Sequence, residues 1–138
     1  MSKSAMNIAS ALFSAIESGD PAAVAALYAD DVAVWHNFDD QEQDKSTNLK
    51  TLAGLIAIAA EIRYEVTERR MLEADRMLQR HRLRVRVSSG EEFSIPACIF
   101  VTVQGDRITR IEEYLDTTQA NAMVRAGRNR IGPTGTPT

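Results

Sequence analysis

Two side chains that exchange protons lie on otherwise uncharged faces of predicted strands. His81 shares one such face with Leu83, and Glu113 lies between Ile111 and Leu115 on another. A carboxylate among aliphatic side chains loses hydration, which favours its protonated form and makes it a usable acid or base near neutral pH. A nearby imidazole can share that proton. The two residues therefore predict proton transfer; the alternative is that Glu113 pairs with an arginine and His81 is a buried wall residue.

These side chains need a sheet to position them. Alternating β-branched and aromatic residues predict a first strand at 32–37. Longer strands are predicted at 63–72, 77–87, 92–103 and 107–115, and strands that follow each other in the chain are expected to pair as a meander. In the 77–87 strand the arginines alternate with uncharged residues, so that only the uncharged face suits a core.

Helices are predicted mainly in the first half of the chain. Apolar residues at three- and four-residue spacings predict a helix at 5–18. Asp20-Pro21 starts a short second helix, and a third runs to about Ala60 with Ser46 or Thr47 as its cap. Helices followed by strands predict an α+β domain.

The composition limits the domain count and the partners. The chain has 138 residues, 44% of them hydrophobic, which is enough for one core but not for two. We expect a single domain at residues 1–124 and a flexible C-terminal tail at 125–138. Sixteen basic and nineteen acidic residues give a net charge of −3, which argues against nucleic acid and anionic membranes as partners.

Location and metal binding are predicted from what the sequence contains. The first residues carry no signal peptide pattern, and the longest apolar run, residues 55–60, is too short to cross a bilayer, so we expect a cytoplasmic protein. The single cysteine, Cys98, excludes an internal disulfide, and we interpret it as structural, with a position on a dimer face as the alternative. The acidic stretch at 39–44 lacks the pattern of a calcium loop and is interpreted as a solvated rim. We predict no metal site.

Four sequence features occur in a fixed order along residues 5–123. They are Gly19-Asp20 after a helix, the run Leu27–Val32, the segment Val34–Asn37, and Gly105–Asp116 late in the chain. Together they resemble the nuclear transport factor 2-like superfamily, its SnoaL-like branch in particular. This resemblance is more specific for fold than for function, since the superfamily includes polyketide cyclases, ketosteroid isomerase, limonene epoxide hydrolase, scytalone dehydratase and proteins that only bind or dimerise.

The resemblance implies a cystatin-like cone, in which a curved, mostly antiparallel sheet wraps around three N-terminal helices and leaves an apolar pocket at one end. If the concave face holds the apolar residues, strand parity predicts which side chains line that pocket. The predicted set is Trp35, Asn37, Gln79, His81, Leu83, Ile95, Ala97, Ile99, Ile111, Glu113 and Leu115.

The first strand can be aligned with the family in two ways. Counting forward from Ala29 places the family's polar strand-end position on His36, whereas matching the letters Trp-His-Asn places it on Asn37. We favour Asn37, because a one-residue bulge costs less than turning Trp35 into solvent. Trp35 and Asn37 would then orient a ligand oxygen, and His36 would face outward.

Two activities of the superfamily fit this chain poorly. Leu12 stands where the resemblance to ketosteroid isomerase implies a tyrosine donor on the first helix. The aspartate–arginine–aspartate set of the epoxide hydrolases falls near Gln79, His81 and Glu113, so that only the last carboxylate is matched.

What the resemblance leaves is acid–base chemistry of the kind it implies for the cyclases and the dehydratase. We expect Glu113, helped by His81, to move a proton next to a carbonyl of an apolar, cyclic ligand without metal or cofactor. The alternative is a non-catalytic module of the same fold that binds a small apolar molecule or only dimerises.

The superfamily commonly pairs two copies through the outer face of the sheet. Arg80, Arg82 and Arg84 lie where they could meet Glu112 and Tyr114 across or beside a two-fold axis. We therefore expect a homodimer.

Overall fold

The computed structural model describes residues 4–128. Along this range the helices are α1 (Ala5–Glu17), α2 (Pro21–Leu27), α3 (Lys45–Ile58) and α4 (Thr117–Arg128). The strands are β1 (Tyr28–His36), β2 (Gln41–Gln43), β3 (Ala59–Glu73), β4 (Arg76–Val87), β5 (Glu92–Gln104) and β6 (Arg107–Leu115).

The strands form one six-stranded sheet in the order β2-β1-β6-β5-β4-β3. β1 and β6 are parallel, and all other neighbours are antiparallel. The predicted α+β class and the meander from β3 to β6 are confirmed. Register shifts along β3 mark bulges, which bend a strand and increase its twist, and α1 packs against β3, β4, β5 and β6 on the concave side of the curved sheet.

Short polar residues begin the first three helices. Side chains of Ser4, Asp20 and Asp44 accept hydrogen bonds from backbone N–H groups three residues ahead, at 3.1, 3.1 and 2.9 Å. The prediction that Ser46 or Thr47 caps α3 is wrong, because Asp44 already accepts from the Thr47 amide. After α1, Gly19 has a φ of +65°, a left-handed conformation that suits glycine and ends the helix.

Helix α4 was not expected from the sequence. It runs to Arg128, so the predicted domain boundary after residue 124 falls inside it, and residues 129–138 of the predicted tail lie outside the described residues. The sequence does contain a signal for this helix, the three- and four-residue spacing of small and apolar residues that pack on one side. These residues are Ala120, Met123, Val124 and Gly127. No helix within residues 4–128 is long and apolar enough to cross a bilayer.

The main core lies between α1 and the concave face of the sheet. The buried apolar side chains of α1 recur at helical spacing and meet the inward residues of the strands. The largest side chains of this main core that are less than 2% exposed are Ile8, Leu12, Met77 and Ile108. A smaller cluster under α4 contains Val85, Val87, Ile95 and Met123.

Arginines on the outer face of the sheet form ion pairs with acidic side chains of the same chain. Arg80 pairs with Glu68 at 3.0 Å, and Arg84 pairs with Glu65 at 2.9 Å, both acids being on β3. Glu112 lies 3.5 Å from Arg76 and 3.5 Å from Arg110. Glu112 is therefore engaged inside the chain, which removes the electrostatic part of the argument for meeting Arg80, Arg82 and Arg84 across a dimer.

Gly127 allows α4 to pack closely on α3. A Cβ atom placed there would lie 2.6 Å from Cβ of Ile58, whereas one on the helical Gly54 would meet nothing within 4 Å. We expect Gly54→Ala to raise the free energy of unfolding by about 0.5–1 kcal/mol, from helix propensity alone. Gly127→Ala should lower it by about 1 kcal/mol, because the clash outweighs the same gain. Urea unfolding of both variants checks this, and equal stabilisation would contradict the close contact.

Candidate functional site

A cavity of about 600 Å³ opens between α3, α4 and the concave face of the sheet. Its wall is mostly apolar with a few polar groups, as is usual for small-molecule sites. The helices contribute Asn48, Lys50, Thr51, Leu52, Gly54, Leu55, Ala57 and Ile58 from α3 and Ala120, Met123, Val124 and Arg128 from α4. The sheet side contributes His36, Phe38, Tyr64, Leu83, Ile95, Ala97, Glu113 and Leu115.

Part of the predicted set lies in this wall. Leu83, Ile95, Ala97, Glu113 and Leu115 line the cavity. The remaining inward residues of the sheet lie in the core beside it, each no more than 5% exposed: Gln79, His81, Ile99 and Ile111.

The prediction that Asn37 faces the cavity and His36 faces outward is wrong. His36 lines the cavity and is 8% exposed. It shares its face of β1 with Val32 and Val34, each 2% exposed. Because side chains alternate along a strand, burying the two valines turns His36 inward as well. His36, the position reached by counting forward from Ala29, is thus the residue that faces the cavity.

Trp35 therefore lies on the opposite face, but it is not left in open solvent. Its ring packs edge-on against Tyr114 at 5.0 Å, and its Nε1 donates to Asp40 at 2.8 Å. Asn37 serves the backbone instead of a ligand: its amide donates to the carbonyl of Leu115 at 3.2 Å and accepts from the Leu115 N–H at 3.0 Å. Neither residue is placed to orient a ligand.

His36 and Glu113 meet in the cavity wall because β1 and β6 pair in parallel with these two residues in register. Nε2 of His36 lies 3.4 Å from Oε1 of Glu113, and the two side chains are 10% and 16% exposed. The parallel pairing between the first and last strands thus brings together groups that are far apart in sequence.

Burial and the neighbouring Glu113 carboxylate shift the pKa of three side chains around the site. Burial first, and the Glu113 carboxylate second, raise the pKa of both Tyr28 and Tyr64, so these phenols stay protonated at neutral pH. Burial lowers the pKa of His81, against the opposing effect of Glu113 and with help from Arg69. The site thus combines one carboxylate with neutral donors.

The comparison with protein families decides the assignment. A family model described as a SnoaL-like domain matches residues 9–111. The chain belongs to the SnoaL-like domain family. The match ends before Glu113 and α4, and no curated protein matches the chain.

Solved structures similar to this SnoaL-like domain share its fold at low identity. IdmH from Streptomyces antibioticus, described as a candidate polyketide cyclase, is 16% identical with a TM-score of 0.75, covering 88% of this chain and 98% of IdmH. PrhC from Penicillium brasilianum is 14% identical with a TM-score of 0.79, covering 91% and 89%. An LEH-like epoxide hydrolase from M. tuberculosis is 15% identical with a TM-score of 0.71, covering 91% and 92%. At such identities the likeness shows the fold alone.

His81 does not partner Glu113 in this SnoaL-like domain. Its Nδ1 lies 3.0 Å from Nε2 of Gln79, and Nε2 of His81 has no hydrogen-bond partner in the described part of the chain. The imidazole packs edge-on against Tyr64 and Phe13, with ring centroids at 4.9 and 6.0 Å. The predicted Glu113–His81 pair is thus replaced by Glu113–His36.

Tyr64 and Asn48 are polar cavity residues that the sequence analysis missed. Tyr64 lies two residues after the buried Ile62 on β3, so strand parity alone would have placed it inside. Asn48 is 2% exposed; it accepts from the hydroxyl of Tyr28 at 2.7 Å and donates to Gln43 at 2.9 Å. These two hydrogen bonds satisfy the polar groups of Tyr28, Asn48 and Gln43, and they fix the Asn48 amide at one side of the cavity.

The acidic stretch at 39–44 is used to build structure. Asp39 accepts from the backbone N–H of Gln41 at 3.0 Å, Asp40 holds Trp35, and Asp44 caps α3. Residues 4–128 contain no group of three or more side chains arranged to hold a metal ion.

Proposed function

We propose that this SnoaL-like domain is an enzyme that moves a proton next to a carbonyl of an apolar, cyclic ligand, as an isomerase, a cyclase or a dehydratase, using side chains alone. Glu113 would be the base. The observation that supports this is the position of the Glu113 carboxylate in a mostly apolar cavity wall, with an imidazole as its neighbour. Leu83, Ile95, Ala97 and Leu115 would hold the body of the ligand.

The kind of partner matters for the proposed base. A bidentate arginine would occupy both carboxylate oxygens and hold them ionised. His36 approaches only Oε1, and the side chain of Glu113 makes no hydrogen bond with the described residues that would occupy Oε2. One oxygen is thereby oriented while the other is available to a ligand, and a contact of 3.4 Å can tighten once a ligand is bound.

The proposed step needs no group beyond these. Glu113 takes the proton from the carbon next to the carbonyl, the C–H electron pair forms the carbon–carbon double bond of an enolate, and the carbonyl π pair moves onto oxygen. In a ligand with a carbon–carbon double bond conjugated to the enolate, the protonated Glu113 returns the proton to the far carbon of that dienolate, which isomerises the ligand. In a ligand with a β-hydroxyl group, the protonated Glu113 gives its proton to that group, which leaves as water while the enolate collapses to a conjugated ketone. In a ligand with a second carbonyl, the enolate carbon attacks that carbonyl carbon and closes a ring, and the alkoxide that forms takes the proton back from Glu113.

The test uses 2-tetralone, an apolar bicyclic ketone with exchangeable α-protons. In D2O, wild-type protein is expected to speed the loss of its α-proton NMR signals above the rate in buffer. Binding of 2-tetralone with exchange no faster than in buffer would overturn the proposal and favour the non-catalytic binding module.

We also propose that a second copy of the chain covers the outer face of the sheet. Trp35, Tyr114 and Phe100 form a connected aromatic cluster there, with centroid distances of 5.0 and 6.4 Å, and Tyr114 is 49% exposed. Aromatic side chains with their charged neighbours already paired suit the centre of a two-fold interface.

Tyr114→Glu is therefore expected to convert a dimer to a monomer, because a carboxylate would be buried against its symmetry mate. Tyr114→Phe, which keeps the ring, should stay dimeric. Sedimentation equilibrium at micromolar concentration measures both variants, and a monomeric wild type would contradict the interface.

A further inference from the structure

The hydroxyl of Tyr64 is a donor without an assigned task. Tyr64 lines the cavity, and its hydroxyl makes no hydrogen bond with any residue from 4 to 128. Tyr28, which is buried, differs because its hydroxyl already donates to Asn48. A hydroxyl in a cavity wall that has no partner within the protein is free to donate to a bound molecule. Tyr64 therefore has the chemistry to meet a ligand oxygen.

Both the backbone and the ring of Tyr64 are held in place. Its backbone N–H donates to Oε2 of Glu17 at 2.9 Å. The rings of Phe13 and His81 contact it at 4.8 and 4.9 Å, with His81 nearly perpendicular at 82°. Perpendicular contact is the geometry in which a polar ring edge meets an aromatic face.

Hydrogen bonds from β3 determine which nitrogen of His81 carries the proton. Nε of Arg69 donates to Oε1 of Gln79 at 2.7 Å, and an arginine can only donate, so the carbonyl end of that amide faces Arg69. The NH2 end then donates to Nδ1 of His81 at 3.0 Å, which requires Nδ1 to be unprotonated. The proton of the neutral imidazole lies on Nε2.

The remaining donor of His81 is directed away from Gln79, since the two ring nitrogens point to nearly opposite sides. Nε2 is buried and has no hydrogen-bond acceptor among the described residues, while the ring packs on Tyr64. The aromatic neighbours of the imidazole are Tyr64 and Phe13, and an N–H group can donate weakly to the face of such a ring.

We propose that Tyr64 is the hydrogen-bond donor to the carbonyl oxygen of the ligand, and that His81, fixed in its Nε2–H tautomer by Arg69 and Gln79, is a positioning residue for the Tyr64 ring. The assignment rests on the proposed function for Glu113. While Glu113 removes the α-proton, charge develops on the carbonyl oxygen, and the Tyr64 O–H stabilises it without giving up its own proton.

The first test compares the binding of 2-tetralone with that of tetralin, which has the same rings but no oxygen. By NMR titration, Tyr64→Phe is expected to weaken 2-tetralone binding about five- to tenfold and leave tetralin unchanged. Tyr114→Phe, on the outer face, should change neither. Equal affinity of wild type for both compounds, or an unchanged ratio in Tyr64→Phe, would overturn the donor. Since this assay measures binding, it stands or fails separately from proton exchange by Glu113.

The second test addresses the positioning role. Long-range 1H–15N NMR correlations of wild-type protein should show His81 protonated at Nε2 and not at Nδ1. In Gln79→Glu the carboxylate would accept from Nδ1, so the proton should move there, and the preference for 2-tetralone over tetralin should fall as in Tyr64→Phe. A wild-type proton on Nδ1, or a moved proton with an unchanged preference, would overturn the role of His81.

Discussion

Replacing Glu113 with glutamine is expected to slow the exchange of 2-tetralone α-protons by about 10²- to 10⁴-fold, the range that general base catalysis usually supplies. Glutamine keeps the shape of the side chain and removes its basicity. The loss should appear in kcat with little change in 2-tetralone binding, because the ligand body contacts the apolar wall.

The neighbouring residue offers a matched control for this experiment. Glu112 faces the outer side of the sheet, where it pairs with Arg76 and Arg110. Glu112→Gln makes the same chemical change one residue away and should leave the exchange rate unchanged. Equal rates in Glu113→Gln and wild type would remove the base from the proposed mechanism, whereas equal losses in both variants would indicate a general effect on the sheet.

Substitution of His36 tests whether this imidazole orients the Glu113 carboxylate, and we expect a smaller loss of exchange rate than from Glu113→Gln. If its imidazole only orients Oε1, His36→Gln should reduce the exchange rate about tenfold, well short of the loss from Glu113→Gln. This ordering of the two variants distinguishes a positioning neighbour from a second catalytic group.

The strands that carry the site could be predicted because their pattern is strict. In β4, arginines alternate with uncharged residues over its whole length, so only one face can enter a core. The same alternation placed Leu83 and Glu113 on the inner face, where the structure has them.

The orientation of β1 could not be settled in the same way, because both of its faces are apolar. Val32 and Val34 compete with Ala33 and Trp35 for the interior, and transfer free energy alone favours burying tryptophan. The outcome depends on Tyr114, which shelters Trp35 on the outer face and is distant in sequence. Tertiary packing thus decided that the carboxylate of Glu113 meets His36.

The helices that cover the cavity could not be predicted from the sequence, for a different reason. Parity relates residues within a sheet, but it says nothing of which helix covers the open end. Gly127 in contact with Ile58 brings α4 over that end, and such a contact is visible only in three dimensions.

Filling the cavity from β5 should abolish most ligand binding. Ala97 lines the wall and pairs with His81 on one side and Leu115 on the other, so a phenylalanine there would project its ring into the space of the ligand. A ligand that loses about 100 Å² of apolar contact loses about 2.5 kcal/mol, or about 70-fold in affinity. We expect Ala97→Phe to weaken the binding of tetralin by this factor.

Because the ring occupies existing space, the fold should survive the substitution, which thermal unfolding of Ala97→Phe checks directly. Ala53→Phe adds the same ring to an exposed position of α3 that is not part of the wall, and it should bind tetralin like wild type. Tetralin titrations followed by NMR compare the variants. Retained affinity in a folded Ala97→Phe protein would mean that tetralin binds outside this cavity. That result would also contradict the proposed role of Glu113, because the ligand would not lie beside its carboxylate.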